Sequence, residues 1–355
     1  MSIELTEQDF ALIETLVSTP GVSGRESSVA DVIEAALPSA GWVTRRDPVG
    51  NLTARKAGKG KKVLLIAHMD EVGLIVRRIT PDGFLKVERL GGISVHTLLG
   101  SAMDLWTENG RLDALVGAEP AHLVNGKAAS YTIADVFVDV GASSKAEVLE
   151  IGVNVGDVMT WKSQPCVLNG YRICGKALDD RLGCFALIKL AELLDSREIE
   201  ADFTLGFVVQ EESMVFESAP IVRQVNPDFV IGVDGSLPFD TPDVKEPQSE
   251  TCLGGGPCIK LMDAIRGKSA YLPNWDLARK LMRFMDDQNL PYQREIVIGL
   301  STALSLVPFM NNGIKTAAVS LPIRYHHSAV ELADVRDLTH LLDVLQALLI
   351  NNVPE

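Results

Sequence analysis

The sequence has no apolar run that approaches the roughly 20 residues a bilayer-spanning helix needs. Its first residues, MSIELTEQDF, lack the basic and apolar regions of a signal peptide. The five cysteines are odd in number and include no Cys-x-x-Cys pair, which argues against a disulfide scaffold and against a thiolate zinc site. These absences predict a globular protein of the cytoplasm.

Basic residues are also fewer than acidic ones. Lys and Arg number 33 against 47 Asp and Glu, which gives a formal net charge of -14. Nucleic acids and anionic membranes attract clustered Lys and Arg. We therefore expect neither a nucleic acid nor a membrane as a partner.

Two kinds of apolar pattern alternate along the chain. Segments such as "TEQDFALIETLVS" and "RLGCFALIKLAELLD" place apolar residues three and four positions apart, as amphipathic helices do. Almost wholly apolar runs typical of buried strands lie between the helical patterns: "KVLLIAH", "DFTLGFVVQ", "DFVIGVD" and "KTAAVSLPI". Strands buried on both faces and separated by helices predict an α/β fold with a largely parallel central sheet.

The pattern changes from about residue 71 to residue 166. Short alternating segments are separated there by turns such as "PDG" and "ENG", without a long helical pattern. Such patterning is typical of a small antiparallel barrel or sandwich. Because α/β patterning lies on both sides, we predict an inserted β-rich domain at residues 71–166 and a discontinuous α/β domain at residues 1–70 and 167–355.

Histidine and acidic residues follow four of the predicted strands. In chain order these are His68 with Asp70, Glu211 with Glu212, Asp234, and His326 with His327. Asp179 and Asp180 directly precede a predicted helix. Because the carboxyl ends of parallel strands meet at one edge of a sheet, we expect these groups to form a single site there.

Each group also has an ordinary interpretation. A lone histidine at a strand end is usually a packed or surface residue, paired glutamates usually lie in a solvated loop, and aspartates before a helix often cap it. Spacing alone leaves open whether His326 or His327 takes part. The shared position at one edge favours a metal site over these separate explanations.

The types of side chain in the predicted site suit zinc, cobalt or manganese. Five ligands exceed what one zinc needs, whereas two ions that share a bridging carboxylate would use them all. One carboxylate must stay off the ions to move protons, and Glu211 beside Glu212 is the natural candidate. Asp70 lies two residues past His68, on the same strand face, and can accept the second imidazole N–H.

Six short motifs occur in an order and spacing that resemble the dinuclear metallopeptidase family of tetrahedral, glutamyl and deblocking aminopeptidases, some of them labelled endoglucanases. They are "AHMDEVG", "GKALDDRLG", "VVQEES", "VDGSLPFDTP", "LGGGPCI" and "LPIRYHHSAVEL". The segments "GGISVHTLLG", "EPAHL" and "VFVDVGA" resemble the inserted domain of that family. The similarity covers nearly the whole chain, and the ordered set is far more specific than any single motif.

The resemblance implies a role for each site residue. His68 and Asp234 would hold one divalent ion, Glu212 and His327 would hold the other, and Asp179 would bridge the two ions. The peptide bond between Asp179 and Asp180 would be cis. Glu211 would be the base, and Asp70 would be the supporting acid. It selects His327 over His326 because the family's ligand directly precedes the residue that matches Ser328. Zinc or cobalt is the implied metal, with manganese as a third candidate.

The implied activity is a metal-dependent aminopeptidase that removes N-terminal residues from short peptides. The inserted barrel would mediate dimers, from which related proteins build dodecamers. Two segments depart from the family: Ser213–Glu217 after the paired glutamates, and Ser301–Thr302, where an acid is expected. These departures keep two alternatives open, an amidohydrolase that acts on an acylated or modified amino compound and a non-catalytic assembly protein of the same fold.

Overall fold

The computed structural model describes residues 3–118, 131–195, 197, 199–214, 216–264 and 270–350, so the "EPAHL" motif lies outside the described residues. The described part contains eight α-helices: α1 Glu7–Ser18, α2 Ser27–Ala36, α3 Val95–Leu98, α4 Lys145–Glu150, α5 Leu178–Leu194, α6 Ala219–Val225, α7 Trp275–Asp287 and α8 Val335–Ile350. The first helix is capped by Thr6, whose side chain accepts a hydrogen bond from the Asp9 N–H. Among the described helices, none has both the length and the apolar composition to cross a membrane.

The strands fall into three groups along the chain. Before the middle region lie β1 Val43–Arg46, β2 Leu52–Lys56 and β3 Lys62–His68. The middle region holds β4 Gly73–Ile79, β5 Leu85–Leu90, β6 Ala102–Thr107, β7 Gly110–Val116, β8 Val138–Asp139 and β9 Val158–Trp161. After it lie β10 Cys166–Leu168, β11 Arg172–Gly175, β12 Asp202–Val208, β13 Phe229–Ser236, β14 Cys258–Ala264, β15 Ala270–Tyr271, β16 Gln293–Ile298, β17 Lys315–Arg324 and β18 Glu331–Asp334.

A single large sheet forms the centre of the fold. Its main path runs β1-β2-β12-β3-β13-β17-β18-β11-β10, and β14 to β16 branch from β17. The four central strands, β12, β3, β13 and β17, are mutually parallel, while β1, β2, β18, β11 and β10 pair antiparallel at the two sides. The predicted α/β class is confirmed, and the strands whose ends carry the predicted site form the parallel centre of the sheet.

Strand β3 shows why its sequence is apolar at successive positions. Val63, Leu65 and Ala67 belong to the core formed with helices α1, α2, α5, α7 and α8. Leu64 and Ile66 belong to a second core on the opposite face, formed with α6. Since successive strand residues point to opposite faces, a strand covered on both sides must be apolar throughout.

The middle strands close into a six-stranded barrel in the order β4-β5-β8-β7-β6-β9. The barrel has its own apolar core, which includes Leu74, Val87, Met103, Leu105 and Trp161. A closed barrel leaves no unpaired sheet edge, so its short strands are stable without long helices. The predicted barrel is thus confirmed, while the division of domains at residues 71 and 166 stays a prediction.

A buried ion pair lies at the start of the barrel segment. The Lys176 Nζ donates to both carboxylate oxygens of Glu71 at 2.7 Å, and the Gly21 N–H donates to the same carboxylate at 3.2 Å. Both charged side chains are buried, and Arg181 lies 3.6 Å from the Glu71 carboxylate. Glu71 therefore balances positive charge between the two parts of the chain and does not belong to the predicted site.

Replacing Glu71 by glutamine should lower the free energy of unfolding by about 3–5 kcal/mol, because it leaves the buried Lys176 without its counter-charge. Chemical denaturation measures the change. Glu150 is exposed near the end of α4, and its replacement by glutamine is the matched control, expected to change stability by no more than about 0.5 kcal/mol. Equal stability of the two variants would show that the ion pair does not stabilise the fold.

Candidate metal centre

The register of the central strands brings the predicted residues to one edge. His68, the last residue of β3, lies opposite Val208 at the end of β12. Ile66 of β3 lies opposite Gly232 of β13, so Asp234, two residues further along β13, is level with His68. The carboxyl ends of three neighbouring strands therefore meet at the same height, as the α/β pattern predicts.

Sharp turns of the backbone present the residues that follow the strands. Four residues beside the site adopt positive φ although they are not glycine: Ala177 at 54°, Gln210 at 62°, Tyr325 at 60° and His327 at 58°. Such residues are uncommon and cluster at functional sites, where the surrounding structure holds them. The Asp179–Asp180 peptide bond is cis, as the family resemblance implies.

His68 faces two carboxylates with one ring nitrogen and a backbone carbonyl with the other. Its Nδ1 lies 3.1 Å from the Asp70 carbonyl oxygen and 3.4 Å from the Asp70 carboxylate. Both can only accept, so Nδ1 carries a proton, and Nε2 faces Asp179 Oδ1 at 3.3 Å and Asp234 Oδ1 at 3.8 Å. A neutral imidazole in this tautomer can bind a metal ion.

The surrounding carboxylates create a negative electrostatic environment that stabilises positive charge. Burial alone would lower the pKa of His68, but its hydrogen bonds with Asp179 and Asp70 outweigh burial and raise the pKa well above the usual value. Burial would raise the pKa of Asp179, but His326, His327 and His68 lower it well below the usual range. A bound cation would be stabilised by the same negative field.

His327 has an arrangement like that of His68. Its Nδ1 donates to the carbonyl oxygen of Gly92 at 2.7 Å, and its Nε2 lies 3.0 Å from Glu212 Oε1 and 3.6 Å from Asp179 Oδ2. Gly92 belongs to the stretch between β5 and α3, within the predicted insertion. The middle region therefore helps to orient a histidine that follows β17.

His326 also reaches Asp179. Its Nδ1 lies 3.0 Å from Asp179 Oδ2, and its Nε2 lies 3.1 Å from the carbonyl oxygen of Ser236. The consecutive histidines, which spacing could not separate, thus both present a ring nitrogen to the same carboxylate oxygen.

Asp70 supports more than the imidazole of His68. Its carboxylate accepts hydrogen bonds from the backbone N–H groups of Glu211 at 3.0 Å and Glu212 at 3.1 Å. The hydroxyl of Ser23 donates to the same carboxylate at 2.6 Å. A single buried aspartate therefore fixes the turn that carries both glutamates.

Glu331 is a supporting residue to which the sequence analysis assigned no role. Its carboxylate accepts from the backbone N–H of Asp179 at 3.1 Å and from that of His327 at 2.7 Å, so it ties two site segments together. Burial raises its pKa to about 7. The residue is part of the motif "LPIRYHHSAVEL", four positions after His327, and that position was the only sequence signal.

Asp180 differs from its neighbour in what it contacts. Its carboxylate accepts from the backbone N–H of His68 at 3.2 Å and from that of Gly183 at 3.1 Å. Burial raises its pKa well above the usual value, and the nearby carboxylates of Asp179 and Asp234 add to the rise, while His68 opposes it. These contacts suit a residue that holds the backbone around the site.

The site opens into a small cavity of about 170 Å³. Asp179, Asp234, Glu212 and His327 line the cavity together with Glu211, which lies outside the proposed ligand set. Burial raises the pKa of Glu211 well above its usual value; His68 opposes the rise, while neighbouring carboxylates strengthen it.

The two segments that depart from the family lie differently around the site. Ser301 and Thr302 line the cavity, and the buried Thr302 hydroxyl has no hydrogen-bond partner among the described residues. In the other segment Val215 lies outside the described residues, Phe216 is 61% exposed and Glu217 is buried. The first departure therefore contributes directly to the cavity wall.

The donor atoms fit divalent metal ions. Among the described residues, three overlapping groups bring their ligand atoms within 4.8 Å of one another: Asp179 with His326 and His327; His68 with Asp180 and Asp234; and His68 with Asp179 and Glu212. All donors are imidazole nitrogens and carboxylate oxygens, the combination that suits zinc, cobalt or manganese.

Comparison with known proteins places this chain among peptidases. A family model described as M42 glutamyl aminopeptidase matches residues 50–344. The lysyl aminopeptidase of Pyrococcus furiosus is 31% identical over 350 residues, which are 96% of each chain. The structure of aminopeptidase APDkam598 from the archaeon Desulfurococcus kamchatkensis matches with a TM-score of 0.90 at 31% identity and covers 97% of this chain and 94% of its own. The TET1 peptidase of Pyrococcus horikoshii, described as able to assemble into a tetrahedron or a large octahedral shell, matches with a TM-score of 0.84 at 30% identity, covering 96% and 99%.

Proposed function

The chain belongs to the M42 glutamyl aminopeptidase family and is an aminopeptidase, and on that premise we propose that it removes N-terminal residues from short peptides with two divalent ions and Glu211 as the general base. One observation carries the proposal. The carboxylate of Asp179 lies between His68 on one side and His327 on the other, and Glu211 lines the cavity beside them. Such an arrangement offers one bridging ligand and one carboxylate that remains available for proton transfer.

The proposed ligand set divides the site into two halves. His68 and Asp234 would hold one ion, Glu212 and His327 the other, and Asp179 would bridge them. Zinc or cobalt suits this set best, with manganese as a third candidate. When bound, such ions polarise the scissile carbonyl and make a water molecule easier to deprotonate.

Proton transfer falls to Glu211. Its carboxylate would take a proton from the attacking water and deliver it to the nitrogen of the leaving amine. Asp70 accepts hydrogen bonds from the backbone N–H groups of both Glu211 and Glu212. These bonds fix the position of the base relative to the neighbouring metal ligand. Asp70 would also hold the imidazole of His68 in its metal-binding tautomer.

The proposal extends to assembly. The barrel formed by β4 to β9 would mediate a dimer, and dimers would build a larger shell. The closed barrel has a core of its own, and the Pyrococcus horikoshii relative is described as assembling into a tetrahedron or an octahedral shell. An enclosed site would restrict substrates to peptides that can enter.

The cavity also bears on the choice between aminopeptidase substrates and acylated compounds. Its wall carries four acidic residues (Asp179, Glu211, Glu212 and Asp234) and one lysine (Lys260), and this acidic lining favours the ammonium group of a free N-terminus, whereas Ser301 and Thr302 are uncharged. The polar pair is the feature that keeps an amidohydrolase with acylated substrates as the second candidate.

Matched peptides with free and acetylated N-termini separate these candidates. We expect kcat/KM to be about 10- to 100-fold higher for the free amines, which corresponds to the loss of one charge-assisted hydrogen bond of about 1.5–3 kcal/mol in the acetylated forms. Both series are assayed with the same metal-loaded enzyme. Equal or faster cleavage of the acetylated peptides would favour the amidohydrolase.

A further inference from the structure

We propose that His326 is an additional imidazole ligand of the ion on the side of Glu212 and His327, so that two consecutive histidines hold one metal. The inference rests on the proposed two-ion function and adds a residue to it. The family resemblance assigns the metal to His327 alone, whereas spacing alone leaves open which of the two histidines takes part.

The hydrogen bonds of His326 determine which nitrogen is available. The carbonyl oxygen of Ser236 can only accept, so the Nε2 of His326 at 3.1 Å must donate to it. Nδ1 then faces Asp179 Oδ2 at 3.0 Å. A positive charge must lie between these two atoms, either a second proton on the imidazole or a bound cation.

The same arrangement occurs at the other two histidines of the site. His68 and His327 each donate one ring N–H to a backbone carbonyl, of Asp70 and of Gly92 respectively, and each turns the other nitrogen toward Asp179. Anchoring of the second nitrogen is the usual way in which proteins fix a metal-binding imidazole.

The distances are those of atoms that share one ion. With metal–ligand bonds of about 2.0–2.2 Å, neighbouring ligand atoms lie about 3 Å apart in octahedral coordination and about 3.3–3.6 Å apart in tetrahedral coordination. His326 Nδ1 lies 3.0 Å from Asp179 Oδ2, and His327 Nε2 lies 3.6 Å from it. Asp179, His326 and His327 also form one of the groups whose ligand atoms lie within 4.8 Å of one another.

A second imidazole would change the metal preference of this half of the site. Nitrogen ligands suit zinc and cobalt, whereas carboxylate-rich sets suit manganese and magnesium. With His326 and His327 on the same ion, the second half would favour zinc or cobalt over manganese more strongly than a set with a single histidine.

Cobalt(II) titration of the full-length protein tests the inference. Metal-free wild type, His326→Ala and His326→Asn are titrated in competition with a chelating indicator, and the visible absorption of bound cobalt is recorded. We expect wild type to bind two equivalents, and both variants to bind one of them at least about 10- to 100-fold more weakly with altered cobalt bands. The asparagine amide keeps a hydrogen-bond donor to Asp179 but is a poor ligand for cobalt.

The outcomes separate the two roles that His326 could have. If His326 were a protonated hydrogen-bond donor to Asp179, its removal would take a positive charge away from a cation site and would leave affinity unchanged or increase it. That result, with unchanged cobalt bands or with rescue by asparagine, overturns the inference. His96→Ala is the control, since His96 is exposed on α3, and circular dichroism checks that every variant is folded.

Failure of the proposed function gives a different result. If wild type binds fewer than two cobalt ions, the two-ion proposal itself is wrong and the role of His326 falls with it. If wild type binds two ions and the variants match it, only the assignment of His326 is wrong.

Discussion

Replacement of Glu211 by glutamine should leave a folded enzyme that binds metal ions like the wild type but hydrolyses peptides at least about 10²-fold more slowly. Glutamine has the same shape as glutamate but cannot accept the proton of the attacking water. The backbone N–H of residue 211 would still donate to Asp70, so the turn that presents Glu212 should be unchanged. The loss should therefore appear in kcat, with little change in metal content.

Glu217 provides a matched control close to the site. It is buried like the site residues, burial raises its pKa to about 8, and its carboxylate has no hydrogen-bond partner among the described residues. At neutral pH it is therefore mostly protonated, so glutamine mimics its usual form. The Glu217→Gln variant should keep nearly the full rate.

Two measurements decide the assignment of the base. Metal content is determined by mass spectrometry on both variants, and kcat is measured with metal-saturated enzyme. A fully active, metal-bound Glu211→Gln enzyme would refute the role of Glu211. Because a base must be deprotonated, wild-type activity should fall as the pH drops below the pKa of Glu211, and this decline should be absent from the residual activity of the variant.

The sequence predicts well those site residues that lie at the ends of strands. His68 and Asp234 lie at the carboxyl ends of parallel central strands, and the apolar runs before them are sufficient to predict both the strands and the edge. The barrel was predictable from its short alternating segments, but its closed strand order was not, because antiparallel pairing depends on contacts distant in sequence.

The supporting residues could not be predicted from residue type. Glu331 and Asp180 accept hydrogen bonds from backbone N–H groups of other segments. A sequence does not show which backbone N–H groups lack a hydrogen-bond partner within their own helix or strand. The positive φ of Tyr325 and His327 turns both consecutive histidines toward Asp179, whereas spacing alone would suggest that only one can face the site. Local backbone conformation, more than side-chain chemistry, separates these outcomes.

Asp179 is the residue on which both halves of the proposed centre depend. Its replacement by asparagine removes the negative charge that the two proposed ions would share, and we expect loss of bound metal and a fall in kcat/KM of at least about 10³-fold, since two-metal hydrolysis would need both ions. One oxygen of Asp179 lies near His68 and the other near His327, so neither half should retain its full affinity. Metal content after gel filtration and the rate with added zinc or cobalt measure the effect.

Asp180→Asn is the matched control for this prediction, because Asp180 is the adjacent buried aspartate and belongs to one of the candidate metal-binding groups. The two oxygens of Asp180 each accept a hydrogen bond from one backbone N–H, Oδ2 from His68 and Oδ1 from Gly183, and an asparagine oxygen can keep one of these two hydrogen bonds. Burial keeps the pKa of Asp180 high, whereas the three histidines keep that of Asp179 low, so only Asp179 offers a full negative charge to a cation. The Asp180 variant should therefore retain both ions and most of its activity. The opposite result, with metal lost from the Asp180 variant and kept by the Asp179 variant, would assign the bridging role to Asp180.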